Sequence, residues 1–150
     1  MSLRIPPPIV ALLALISMWL VAEYLELWRI EVPFKAGIAA ILVALGVIID
    51  LVSIAAFRRA RTTVTPLAPE KASQLVVTGL YRISRNPMYL GLLLILTGAM
   101  VWLGSGANVF ILASFVAYIT AFQIKPEEER LERIFGSQYQ AYTRRVRRWL

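Results

Sequence analysis

The stretch 36–57, AGIAAILVALGVIIDLVSIAAF, holds one ionisable side chain, Asp50, and runs directly into Arg58-Arg59-Ala60-Arg61. A helix over these residues rises about 33 Å, enough to cross a hydrocarbon core of roughly 30 Å with some tilt. A basic collar at the end of such a run marks the cytoplasmic face. The residues around it decide whether this is one anchor or part of a bundle.

On the N-terminal side lies a short turn, 29–35, with Pro33, and before it the apolar run 9–27, preceded by Arg4 and Pro6-Pro7-Pro8. That run is about 28 Å long as a helix and lacks an Ala-x-Ala end, so it reads as a retained first span and not as a signal peptide. Glu23 and Glu26 lie near its far end, beside Trp28. On the C-terminal side a polar connection, 62–85, contains Pro66 and Pro69, which oppose continuous helix. Within it, 74–78, Gln-Leu-Val-Val-Thr, is a candidate extended segment. A third apolar helix is expected over 87–103, about 26 Å long and short for the bilayer core. Gly104-Ser105-Gly106 then turns the chain into a fourth span, 107–124, ended by Lys125-Pro126.

The tail 125–150 is polar and amphipathic. Leu131, Ile134 and Phe135 share one helical face, Gly136 offers a break, and Tyr139, Tyr142, Val146 and Trp149 form a second stripe. Arg144, Arg145, Arg147 and Arg148 lie between them. No internal repeat or low-complexity tract is present. The expectation is an all-α integral membrane protein, one domain over 1–150, with four transmembrane helices and a cytosolic C-terminal helical tail.

Composition agrees. The chain of 150 residues is 59% hydrophobic, against about 45–50% for a soluble domain. It has no histidine and no cysteine, which excludes Ser-His-Asp hydrolysis, thiolate nucleophiles, disulfides, haem ligation and the usual zinc sites. The net charge of +7 belongs to the bilayer and not to nucleic acid, because the cations sit at the ends of apolar runs. With four spans, fourteen Lys and Arg residues fall on the side of both termini and the 58–86 connection, and only Arg29 and Lys35 on the other. The positive-inside rule then places both termini in the cytosol, in a bacterial inner membrane or an endoplasmic reticulum.

Apolar packing does not explain 78–91, Thr-Gly-Leu-Tyr-Arg-Ile-Ser-Arg-Asn-Pro-Met-Tyr-Leu-Gly. Part of it has a structural account: Asn86 as helix cap, Pro87 at the first helical position, arginines at headgroups and Tyr89 in an aromatic belt. Gly91 lies outside that account, since it lowers helix propensity and permits close backbone approach. Pro126-Glu127-Glu128-Glu129-Arg130 likewise suits a helix dipole, yet three carboxylates beside a bilayer are unusual on so basic a chain. A hairpin of the third and fourth helices brings this cluster to Arg82 and Arg85. Groups of both signs there suit a zwitterion carrying an ammonium and a carboxylate.

The two motifs in order, Gly79-Leu-Tyr-Arg with Arg85-Asn-Pro-Met-Tyr-Leu-Gly91, then Glu127-Glu128, Leu131, Phe135-Gly136, Tyr139, Tyr142 and Val146, resemble the isoprenylcysteine carboxyl methyltransferase family. That superfamily also includes phospholipid N-methyltransferases. The resemblance covers about the C-terminal half. It implies S-adenosylmethionine bound at the cytosolic helix ends, capped by the tail, with a lipophilic or prenylated acceptor arriving from the membrane and no metal. Arg85, Asn86, Tyr89 and Gly91 correspond to the first motif, and Glu127 and Glu128 to the second. Asn86 stands where the eukaryotic pattern has histidine, so a proton-transfer role is excluded there. Arg147 replaces a proline common in the tail motif.

Residue chemistry is compatible with methyl transfer. Displacement at a sulfonium by a carboxylate or thiolate needs alignment, worth up to about 7–11 kcal/mol, and neither a metal nor a strong base. Tyr81, Tyr89 or Tyr139 could face the sulfonium by cation–π contact, about 0.5–2 kcal/mol each. Arg85 and Asp50 are the candidate catalytic residues. Asp50 lies two turns before Arg58, about 12 Å deep, either lining an acceptor route or bonding a neighbouring helix. Carboxyl O-methylation of an isoprenylcysteine is the expected reaction, with N-methylation of a phospholipid amine as the alternative. A NADPH-dependent sterol-type reductase has a cluster similar to Ser84-Arg85-Asn86-Pro87, but many more spans. A non-catalytic membrane protein is the remaining reading.

Overall fold

The computed structural model describes residues 5–25, 28–60 and 74–150. Arg4, Glu26, Arg61, Pro66, Pro69 and Lys71 lie outside the described residues. Among the described residues the α-helices are four apolar and two amphipathic: α1, Pro7–Tyr24; α2, Lys35–Arg59; α3, Pro87–Leu103; α4, Asn108–Ile119; α5, Lys125–Phe135; and α6, Ser137–Arg145. A 3-10 turn, Gly79–Arg82, precedes α3. No strand forms among the described residues; 74–78 is non-helical and extended at Thr78 but unpaired as a strand, and two isolated bridges, Arg29 with Ser105 and Ser84 with Arg147, are the β-type pairings found there.

Among the described residues three stretches are long and apolar enough to cross a membrane, Pro7–Tyr24, Lys35–Arg59 and Asn108–Phe135, and α3 is a shorter apolar helix. The third of these corrects an expectation. Lys125-Pro126 does not end the helix, because a π turn, Thr120–Ile124, joins α4 to α5 without a break. There the Lys125 N–H donates to the Thr120 carbonyl, five residues back. Proline has no N–H and its ring collides with the carbonyl four residues earlier. Widening the turn just before Pro126 relieves that conflict and lets the helix continue.

α2 packs mainly against α3 along small residues. A Cβ on Gly46 would come within 2.6 Å of the Gly91 carbonyl oxygen, and one on Gly98 within 3.0 Å of the Ala39 carbonyl oxygen. Small residues at such a crossing let backbones approach, which is how helices associate where lipid removes the hydrophobic drive. A second core, Met18, Tyr89, Leu96, Phe115, Ile119 and Ile124, joins α1, α3 and α4. Ile41, Ile48 and Leu51 of α2 and Leu12, Leu13 and Trp19 of α1 are exposed, as expected for lipid-facing positions.

The loops collect at two ends. At one, Ile30 N–H donates to the Gly104 carbonyl and Gly106 N–H to the Trp28 carbonyl, both at 2.8 Å. Lys35 sits over the Trp102 ring there, 5.8 Å from its centroid. At the other end the Gln123 amide donates to the Ile5 carbonyl (2.7 Å), the Tyr81 ring packs edge-on against Phe57, and the motif before α3 meets the tail. In the tail, Tyr139, Tyr142 and Val146 are buried together with Leu75, Leu131 and Phe135. Ile134, grouped with Leu131 and Phe135 by periodicity, is instead exposed.

Candidate functional site

Pro87 starts α3 at its first turn, which holds Ser84, Arg85 and Asn86 in a non-helical approach at the helix foot. The segment after α6 is extended at Val146 and lies alongside it. Arg85 N–H donates to the Arg147 carbonyl at 3.0 Å. The Asn86 side-chain amide donates to the Arg148 carbonyl at 2.9 Å, and the Ser84 hydroxyl makes a longer bond to the same oxygen (3.4 Å). Asn86 therefore does not cap α3 with its side chain; it clasps the tail. The strap 146–149 is further tied down by the Trp149 indole, which donates to the Thr120 hydroxyl on the π turn (3.3 Å).

At the centre is Glu128. Its Oε1 forms an ion pair with Arg85 Nη2 at 3.1 Å and accepts from Arg148 Nε at 3.0 Å, and its Oε2 accepts from Arg148 Nη2 at 2.7 Å. The Arg148 fork is bidentate, the strong geometry for a guanidinium and a carboxylate, and the Glu128 bond holds the Arg148 guanidinium above its ordinary range. Arg85 and Glu128 are nearly enclosed, with side chains 12% and 16% exposed. Arg85 Nε is buried and has no hydrogen-bond partner. A buried donor left in this way normally has a ligand, ion or water to meet.

One turn away, the Tyr89 hydroxyl donates to Glu127 Oε1 at 2.8 Å. The Tyr142 hydroxyl donates to the Tyr81 carbonyl at 2.7 Å, which locks α6 onto the 3-10 turn. Tyr139 lies beside the Arg85 guanidinium. Its phenol is pushed up to about 12, by burial first and the Glu128 charge second, with Arg85 opposing. Burial also raises Tyr81, where a bond to the Ser53 hydroxyl opposes, and Tyr142. All three phenols are neutral donors at physiological pH.

Of the residues singled out in the sequence, Tyr81, Arg85, Asn86, Tyr89, Glu127, Glu128 and Tyr139 gather at this end of the bundle. Gly91 is placed at the α2–α3 crossing, where a Cβ would overlap the Asp50 carboxylate. Asp50 Oδ1 is buried there without a hydrogen-bond partner. Arg82 is exposed and Glu129 pairs loosely with Arg133 on the surface (3.9 Å). Sequence reasoning missed Arg148, grouped with the headgroup arginines, and the structural part of Tyr142 and Ser84. The only signal for Arg148 was its place between Val146 and Trp149 in the apolar stripe.

The cluster fits an amino-acid-like zwitterion on two observations. The Arg85–Glu128–Arg148 trio carries a net positive charge around a buried, unanswered N–H, suited to a carboxylate. Glu127 and Glu128 offer carboxylates to an ammonium. Among the described residues no group of three His, Cys, Asp or Glu could hold a metal ion.

The phospholipid methyltransferase family profile matches residues 34–138, and the chain belongs to that family, whose reaction implies a methyl donor. It is 32% identical over 105 residues to protein-S-isoprenylcysteine O-methyltransferase B of Arabidopsis thaliana, covering 70% of this chain and 53% of that protein. A probable protein-S-isoprenylcysteine O-methyltransferase of Oryza sativa subsp. indica is 28% identical over 127 residues, 83% of this chain and 62% of that protein. The chain thus spans little more than half the length of these plant relatives. An uncharacterized protein of Haemophilus influenzae is 46% identical over 63 residues, 42% of this chain and all of that protein. No solved structure matches the chain significantly.

Proposed function

We propose that this protein transfers a methyl group from S-adenosylmethionine to a lipophilic acceptor at the membrane surface, and that the acceptor atom is a carboxylate of isoprenylcysteine type. The observation that carries the reading is the buried, unpartnered Arg85 Nε beside Glu128 in a member of a methyltransferase family. Bound there, S-adenosylmethionine supplies an electrophilic methyl on a sulfonium.

Arg85 binds the donor's carboxylate, and Glu128, with Glu127 beside it, holds its ammonium. Tyr81, Tyr89 and Tyr139 provide neutral aromatic faces for the sulfonium. Asn86 serves the site by holding the strap with its side-chain amide, and Gly91 by the close approach at the helix crossing. Asp50 lines the acceptor's route from the bilayer. α1 to α4 form four spans of a single domain, with both termini, the motif and the tail in the cytosol, following the distribution of Lys and Arg. The partners are membrane lipids and the acceptor, not nucleic acid and not a metal.

A phospholipid amine is the second reading. The family profile and the half-buried Asp50 carboxylate, which attracts a cation and repels an anion, favour it. Purified protein in detergent, offered labelled S-adenosylmethionine with farnesylcysteine-type acids or with phosphatidylethanolamine, separates the two by the labelled product. Binding of NADPH in place of the methyl donor would overturn the methyltransferase reading and favour the reductase. Binding of neither would leave a non-catalytic membrane protein.

A further inference from the structure

We infer that Arg148 occupies on Glu128 the place that the donor's ammonium takes, so that donor binding exchanges one cation for another and releases the strap 146–149. This rests on the methyl-donor reading above and adds a residue and an order of events to it.

Glu128 is already answered by two guanidiniums through three contacts, Arg85 at 3.1 Å and Arg148 at 3.0 and 2.7 Å. A carboxylate has about four acceptor positions, and an ammonium brought to the fourth would lie against two guanidiniums in a half-buried site. Like charges at that separation oppose binding, so one guanidinium has to leave. Arg85 is fixed at the foot of α3 and 12% exposed. Arg148 is 35% exposed and sits on an extended segment beyond α6, so its return to water is the smaller disturbance. Charge balance points the same way. With Arg148 displaced, Arg85 answers the donor's carboxylate and Glu128 its ammonium, one to one.

Two backbone-directed bonds define what the strap gives up. Arg85 N–H and the Asn86 amide hold the Arg147 and Arg148 carbonyls, and both donors belong to the motif that receives the donor. The enclosed Arg85 and Glu128 side chains also require an opening for any ligand to enter. The strap touches both residues, through Arg148 on Glu128 and the Arg147 carbonyl on the Arg85 N–H.

The test compares two ligands on the full chain in detergent: S-adenosylhomocysteine, and 5′-methylthioadenosine, which has the same adenosine thioether but no amino-acid portion. Arg148→Gln should tighten S-adenosylhomocysteine by roughly three- to tenfold, the scale of losing one partly exposed competing ion pair, and leave 5′-methylthioadenosine within about twofold. Arg148→Lys, which keeps the charge but loses the fork, should tighten the first ligand by a smaller factor, and it covers the case in which the glutamine variant does not fold. Weaker or unchanged binding of S-adenosylhomocysteine in the folded variants, or an equal change for both ligands, overturns the exchange and makes Arg148 a direct contact or a structural tie. Those outcomes leave the methyl-donor reading standing, whereas failure of the unmodified protein to bind S-adenosylhomocysteine removes both.

Discussion

Removing the Arg85 side chain should weaken binding of the methyl donor far more than it weakens the fold. At 3.1 Å from Glu128, two unit charges attract by about 5 kcal/mol at an effective dielectric of 20, most of which desolvation cancels. In the free protein Arg148 remains on Glu128 through two bonds, so Arg85→Ala leaves no orphaned carboxylate and the loss of stability should be only about 1 kcal/mol. The bound donor loses more, because Arg85 Nε and its neighbours are the donors placed for its carboxylate. Loss of charge-assisted bonds there costs about 2–3 kcal/mol, roughly 30- to 150-fold in Kd. Glu128→Gln should fall in the same range. Arg144 is exposed, and a headgroup contact contributes about 1 kcal/mol to membrane attachment, so Arg144→Ala should leave donor binding nearly unchanged. Calorimetric titration of S-adenosylhomocysteine into detergent-purified variants, beside thermal melts without ligand, reads both quantities. If Arg144→Ala costs as much as Arg85→Ala, the arginines act through general membrane anchoring and the site assignment is wrong.

Gly91→Ala should lower the melting temperature through a loss of about 1–3 kcal/mol, because the added methyl meets the Asp50 carboxylate and the Gly46 carbonyl; an unchanged melt would show that the crossing can relax. Truncation after Lys125 should leave α1 to α4 inserted and abolish donor binding, since it removes Glu127, Glu128 and Tyr139; retained binding in the truncated protein would assign the tail a structural part alone. Tyr139 titrates near 12 when folded and near 10 when unfolded, so the folded state holds the extra proton between those values. Its stabilisation is therefore complete below about pH 10 and is lost as pH rises towards 12, and melting curves of Tyr139→Phe should show a shallower alkaline decline than the unmodified chain.

The helices were legible in the sequence because a membrane span is a local property. Every backbone group in a span is satisfied within its own helix, so apolar length alone locates it, and α3 occupies the 87–103 window that its composition defined. The pairing of the two motifs was legible for a similar reason, since a three-residue turn leaves a helical hairpin little choice of partner, and Arg85 does meet Glu128. The continuity of α4 into α5 was not. Proline at 126 argues locally for a stop, and only a π turn that gives the chain a five-residue bond resolves the conflict.

What the sequence by itself determined is a membrane-embedded helical bundle with a charged, aromatic cluster at one end, because hydropathy and motif order depend on neighbours along the chain. What only the tertiary structure decided is the division of labour within that cluster. Arg144, Arg145, Arg147 and Arg148 are nearly equivalent in composition and spacing, yet Arg148 alone of these forks onto Glu128 among the described residues, because the clasp from Arg85 and Asn86 fixes which arginine of the strap faces inward. Asn86 could cap a helix or hold the strap, and the strap's position made the second its role. Asp50 could pair or line a route, and the absence of a side chain on Gly91 set where its carboxylate lies. Each of these outcomes rests on contacts between segments distant in sequence, whose energies exist only once the bundle has closed.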